Sequence, residues 1–344
     1  MDLAVSTPVA TETAAAGASD RDLPAIPLVD LGAAGPVALF EARREGGLAL
    51  MAAGCDTYGR IAISLADKLS HRWLERTDNP YLGELDALAR TGGHPGAYML
   101  NLSYEWLCTT GVAPDPEGRG SRMLRTLDWP LEGLGRHVVV ARFEGAAGPY
   151  FNVTWPGFVG IVTAMAPGRF SAALNQAPMP RQSRLWFSDW LRARLGVWQG
   201  GGLPPAHLLR RIFDQCATFE EARAMLRETR VSLPGFFSLS GVAPGEGCVV
   251  ERFDDRAVVH DAPVSVANHW LTPGLGGDPR GEDSYERQAM MAAANVVRHA
   301  GFGWLRRPVL NDCTRLAVAA NAATGRLAVQ GFEGGAPATA VFAI

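Results

Sequence analysis

An α+β layered domain is what this sequence predicts, and three observations carry the prediction. Apolar positions recur at helical spacing through residues 34 to 76. From Ala97 the character changes to short runs of Val, Phe, Tyr and Thr cut by Gly and Pro, the signature of consecutive strands with tight turns. Helical periodicity then returns, followed by more strands, one more helix and a final hairpin. That order suits segregated helices and antiparallel strands better than an alternating βαβ sheet.

Taken in order, "VALFEARREGG" and "RIAISLADKLSHRWLER" predict two or three helices, and "YLGELDALAR" a short further one. The segments "HVVVARFEG", "YFNVTWPG", "GIVTAMAPG" and "FSAALNQAP" predict successive antiparallel strands. "SRLWFSDWLRARLGVW" and "PAHLLRRIFDQCATFEEARAMLRET" are again helical, with Thr218 as an N-cap and Glu221 completing a capping box. "GCVVERFDDRAVVHDAPVSVANHW" alternates like paired strands, "SYERQAMMAAANVVRHA" is a helix, and "GRLAVQGFEGGAPATAVFAI" reads as a closing hairpin.

Bulk properties narrow the function classes. A chain of 344 residues with 47% hydrophobic content buries a substantial core. Its net charge of −3, without a basic cluster, argues against broad binding to nucleic acid or anionic membrane. Lys68 is the sole lysine among abundant arginines, which reads as coding bias. Five scattered cysteines without a CxxC pair suggest neither a disulfide framework nor a zinc site, and fit a reducing compartment. Residues 1–26 read as a disordered leader without the basic and apolar regions of a signal peptide, and no segment offers eighteen uninterrupted apolar residues. A cytoplasmic protein is expected.

Cysteine is a nucleophile only as thiolate, so a catalytic one needs a base or positive field, and the attacked carbonyl needs donors for its oxyanion. Cys55, Cys216, Cys248 and Cys313 read as core residues. Cys108 has different company. The blocks "NLSYEWLCTTGVAPD", "RTLDWP", "PGFVGIVTAMAPGRFSAALNQAP" and "VANHW" followed by "SYERQAMM" run in that order from about residue 95 to 295. Together they resemble the acid ceramidase and N-acylethanolamine acid amidase group of N-terminal-nucleophile hydrolases. Wider kinship extends to the choloylglycine hydrolases, related penicillin acylases and isopenicillin N acyltransferases.

The resemblance implies a four-layer αββα sandwich with a helical segment over 27–107, like the family's small subunit, ahead of the hydrolase domain at 108–344. It also implies self-cleavage between Leu107 and Cys108, leaving fragments that stay associated. The new N-terminal residue would then supply both thiol and α-amine. A free α-amine has a pKa of about 7.7 to 8.0, near enough to neutrality to shuttle a proton. By the same resemblance Arg125 favours the thiolate, Asp128 hydrogen-bonds the new α-amine, Asn268 is the oxyanion donor and Asn175 a second one. Arg287 is the late arginine, with Arg280 as fallback because "GLGGDPRGED" looks inserted. Gln176 departs from the pattern, which has glutamate there; in the family that residue is linked to self-processing and acid-optimal activity, so a near-neutral optimum is expected.

The implied reaction is hydrolysis of the carbonyl–nitrogen bond of a small-molecule N-acyl amide, with no cofactor and no metal. An acyltransferase of secondary metabolism using the same site is the alternative, and a non-catalytic binding descendant is a third reading. Trp129, Trp155, Phe158 and Trp186 are candidates for an acyl pocket or plain core. His269 could reach substrate or simply pack.

Overall fold

The computed structural model describes residues 23–103, 106–178, 200–253 and 255–344. The helix expected over "SRLWFSDWLRARLGVW", Trp186, and residues 1–22 of the expected leader lie outside these. Ile26, placed in the expected leader, is 5% exposed and joins the main core.

Three helices fill the first periodic region: α1 (Gly35–Ala42), α2 (Arg44–Tyr58) and α3 (Arg60–Arg76). Gly59 separates the last two with φ +86°, a backbone region that favours glycine. Then come α4 (Leu82–Gly92) and one turn, α5 (Met99–Leu102). Their apolar stripes build a separate small core from Phe40, Met51, Trp73, Leu74, Leu85 and Leu88. This segment is not purely helical. It begins with β1 (Leu28–Gly32), which pairs in parallel with β4 (Val139–Gly145).

The strand block folds as two sheets. The first has eight strands in the order β1-β4-β5-β6-β7-β8-β9-β10, with β5 (Gly148–Thr154), β6 (Thr163–Ala166), β7 (Phe170–Gln176), β8 (Gly235–Gly241), β9 (Gly247–Phe253) and β10 (Arg256–Asp261). The second runs β11-β2-β3-β12-β13-β14, from β2 (Leu107–Pro114), β3 (Ser121–Asp128), β11 (Val264–Val266), β12 (Thr314–Asn321), β13 (Arg326–Glu333) and β14 (Ala336–Pro337); β15 (Phe342–Ala343) also pairs with β13. Apart from β1, the strand pairs are antiparallel.

Helices α6 (Pro205–Gln215) and α7 (Phe219–Glu228) cover the eight-stranded sheet, and α8 (Ser284–Asn295) covers the other. The result is the αββα sandwich. Thr218 caps α7 as expected, its side chain accepting from Glu221 N, while Glu221 reaches back to Ala217 N. Close approach of α8 to β2 depends on Gly111, where an added Cβ would lie 2.9 Å from Met291 Cγ. No described helix is long and apolar enough to cross a membrane.

Candidate active site

The period of two along β2 decides what the site can contain. Cys108 and Thr110 point between the sheets, toward Leu174 and Asn175 on β7, whereas Thr109 points the other way, toward α8. On β3, Arg125 lies opposite Thr110 and faces the same interior. One face of β2 therefore meets Arg125 and the other meets Arg287.

Arg125 is fully buried and uses its fork on the nucleophile's surroundings. Nη2 donates to Cys108 Sγ at 3.1 Å, and Nη1 donates to Leu174 O at 2.8 Å and Asn175 Oδ1 at 3.3 Å. On the far face Arg287 Nη1 donates to Cys108 O at 3.0 Å, to Thr109 Oγ1 at 2.9 Å and to Asn268 Oδ1 at 3.3 Å. Of the two late arginines, Arg287 is therefore the one whose side chain reaches Cys108. Arg280 sits at the margin, holding Ala177 O through Nε and Asn268 O through its backbone N–H.

Asn268 touches Cys108 directly. Its Oδ1 accepts from the Cys108 backbone N–H at 2.9 Å, and its Nδ2 donates to Gln176 O at 2.8 Å. An amide nitrogen carries two hydrogens. The second of Nδ2 has no acceptor among the described residues. Asn175, expected as a second donor, differs. Both its Nδ2 hydrogens go to Val266 O and Ala267 O at 3.2 Å, and its Oδ1 accepts from Thr110 and Arg125. It has no N–H left to give, and the structure makes it a tie between β7, β2, β3 and the end of β11.

Asp128 is buried beside Arg287, 3.9 Å from Nη1. Its oxygens accept from Thr314 Oγ1 at 2.8 Å and Asn311 Nδ2 at 3.0 Å. In the intact chain the Cys108 N–H is given to Asn268 and not to Asp128. Register nonetheless sets Asp128 opposite Leu107, the residue before the nucleophile. Asn311 and Thr314 carry no signal in the sequence, since they meet Asp128 across more than 180 positions. Gln176 contributes its carbonyl, while its Oε1 is buried without a hydrogen-bond partner among the described residues.

Electrostatics follow from burial. Desolvation pushes the Cys108 thiol up to about 11, against the pull of Arg125 and Arg287. Burial also raises Asp128, opposed first by Arg287. The thiol of the intact chain is thus protonated at neutral pH, and Cys108 has no exposed surface. Alkylation of Cys108 by iodoacetamide in uncut protein is accordingly expected to be far slower at pH 7 than that of a free cysteine. Rapid labelling of uncut chain, read by peptide mass spectrometry, would contradict this account.

Trp129, Trp155 and Phe158 line one apolar recess with Leu50, Met51 and Leu134, between the N-terminal helices and the strand domain. Trp106, two residues before the nucleophile, packs edge-on against Trp129 with ring centroids 5.1 Å apart. Cys55, Cys216 and Cys248 are buried as expected, while Cys313 is only partly so.

No family model matches the chain. It is 32% identical over 192 residues to acid ceramidase of Homo sapiens, covering 50% of this chain and 47% of that protein. To acid ceramidase of Macaca fascicularis it is 28% identical over 192 residues, with the same shares. The chain thus spans about half the length of the curated relatives it matches. Among solved structures it is similar to the Caenorhabditis elegans N-acylethanolamine-hydrolyzing acid amidase ortholog, with TM-score 0.50 and 19% identity over 63% of this chain and 93% of that one. The chain is similar in sequence to the acid ceramidases and has the αββα fold of the N-terminal-nucleophile hydrolases.

Proposed function

We propose that this protein is an amidohydrolase that cleaves the carbonyl–nitrogen bond of an N-acyl amide through a thioester on Cys108, after cutting itself between Leu107 and Cys108. The observation that carries the reading is the buried contact of Arg125 with the Cys108 thiol, made beside an Asn268 amide with one N–H uncommitted.

In the first reaction Cys108 Sγ attacks the Leu107 carbonyl carbon, the peptide C–N bond breaks, and the Cys108 nitrogen takes up the thiol's proton as an amine. Water then hydrolyses the thioester, releasing the Leu107 carboxylate. The new amine belongs to Cys108, which pairs with Leu127 in the β2–β3 register, one position along from the Leu107–Asp128 pair, and Asp128 is the residue proposed to hold it. In turnover the α-amine takes the thiol proton, Sγ attacks the acyl carbon, and Asn268 with Arg287 behind it stabilises the oxyanion. The α-ammonium protonates the leaving amine. Water, deprotonated by the same amine, frees the carboxylic acid. The recess lined by Trp129, Trp155 and Phe158 is the site proposed for the acyl group.

The two fragments are expected to stay together, because β1 belongs to the N-terminal one yet hydrogen-bonds β4 of the other. Glu84 of α4 also pairs bidentately with Arg210 of α6 at 2.7 and 2.8 Å, and Asn79 with His207 at 3.1 Å. Intact-mass spectrometry of the purified protein should give fragments ending at Leu107 and starting at Cys108 that co-elute in gel filtration. N-acyl 7-amino-4-methylcoumarin amides of short to long chain then report turnover. A preparation that hydrolyses these amides while holding only uncut chain would overturn the mechanism.

A further inference from the structure

Behind Asn268 runs a hydrogen-bond chain with one direction. Gln288 Nε2 donates to Ser265 O at 2.8 Å, which fixes its amide so that Oε1 faces His269 Nε2 at 2.9 Å. Nε2 must therefore carry the ring proton. On a neutral ring Nδ1 is then an acceptor. It lies 2.8 Å from Ser284 Oγ, whose single proton it takes. The oxygen of Ser284 in turn accepts the Asn268 backbone N–H at 3.0 Å. Ser284 and Gln288 stand one helical turn apart on α8, so one face of one helix grips both ring nitrogens. Arg287, on the same turn, holds Asn268 Oδ1.

We propose that Ser284, His269 and Gln288 are positioning residues that hold Asn268 in its donor geometry, and that only the neutral Nε2–H form of His269 closes this relay. The proposal rests on the reading of Asn268 as oxyanion donor. A second proton on His269 would turn Nδ1 into a donor facing Ser284, so that the serine proton loses its acceptor and swings away while the serine oxygen spends both lone pairs, one on Nδ1–H and one on the Asn268 N–H. The surroundings favour the neutral ring. His269 is 4% exposed, with the Tyr285 ring stacked on it at 3.9 Å. Burial lowers its pKa below the usual histidine value, the Arg287 charge on α8 adds to this, and the Gln288 hydrogen bond and Glu251 on β9 oppose it.

The sign of the pH effect follows. A depressed folded pKa means the relay is intact above the unfolded value and opens as pH falls through the folded one. Catalysis should then fail on the acid side together with Asn268 order.

The test is nitrogen-resolved NMR of the histidine rings and Asn side-chain amides between pH 8 and 5, on wild type, Ser284→Ala and His269→Asn. In the last variant the new Oδ1 can still accept from Ser284 but cannot titrate. The expected result is His269 protonated at Nε2 at neutral pH, and an Asn268 amide resonance that moves with the His269 midpoint in wild type and stays flat in His269→Asn. Ser284→Ala should lower kcat on the coumarin amide about ten- to a hundredfold with KM little changed, the scale of a displaced catalytic group. A His269 proton on Nδ1, or an Asn268 resonance indifferent to the titration, overturns the relay. Absence of turnover alongside intact coupling would instead remove the amidohydrolase reading and leave the relay standing.

Discussion

Cys108→Ala yields a folded chain that neither cuts itself nor hydrolyses any N-acyl amide. Removing the nucleophile of a concerted site costs rate enhancements of order 10³ or more, because the remaining groups have nothing to act upon. The proposed mechanism requires the same atom twice, once against the Leu107 carbonyl and once against substrate, so both activities should vanish together. Stability changes differently. Sγ accepts from Arg125 Nη2, a buried guanidinium whose Nη1 keeps its bonds to Leu174 O and Asn175 Oδ1. One lost partner of a buried charged donor should cost about 1–3 kcal/mol. Mass spectrometry, coumarin release and thermal melting separate the outcomes. Cleavage at Leu107 persisting in Cys108→Ala would assign the cut to a contaminating protease, and persisting turnover would remove Cys108 from the chemistry.

What the sequence discloses about this site depends on how local the information is. Arg125 and Asp128 lie three apart on one strand, and Cys108 stands at the start of its neighbour, so a short block holds half of the constellation. The helices of residues 35 to 92 are legible because their apolar periodicity is their packing. By contrast "TRLAVAAN" is too bland to announce β12, yet it lies between β3 and β13 in the second sheet and brings Thr314 beneath Asp128. Likewise "LVDLG" gives no hint of parallel pairing with a strand over a hundred residues later. Asn175 was legible as a residue of interest but not in its role, since only the positions of Val266 O and Ala267 O show that its amide hydrogens are spent. His269 is the converse: its neighbours on α8 become visible only when the loop after β11 returns to the helix.

The proposed mechanism asks one amide to serve two states. Asn268 Oδ1 holds the Cys108 N–H, and Arg287 donates to both Asn268 Oδ1 and Cys108 O, so the bond proposed to break is fixed from its nitrogen side. On the proposed mechanism, cutting the Leu107–Cys108 bond converts that amide N–H into an amine at the start of β2, a strand held by its pairing to β3 and β11. On the proposed mechanism the acceptor and the donor ends of Asn268 divide the labour: Oδ1 holds the Cys108 nitrogen, Nδ2 meets the oxyanion.

This division makes Asn268 the most informative position after Cys108. Asn268→Ala should lower kcat about 10²–10³-fold, the usual cost of one oxyanion donor, with KM changed only a few fold because the donor acts on charge that develops in the transition state. Asn268→Asp separates the two ends. It keeps oxygens for Arg287 and the Cys108 nitrogen but deletes the N–H, so its kcat should fall as far as that of the alanine variant even though its structure is better preserved. Self-cleavage should slow in both, since the Leu107 carbonyl passes through the same tetrahedral geometry. Steady-state kinetics on the coumarin amide, with the fraction of uncut chain read by intact mass, decide the matter. If Asn268→Asp were to retain kcat within threefold of wild type while Asn268→Ala lost it, the acceptor end would be what matters, and the oxyanion would have to be held by backbone N–H groups and Arg287 instead.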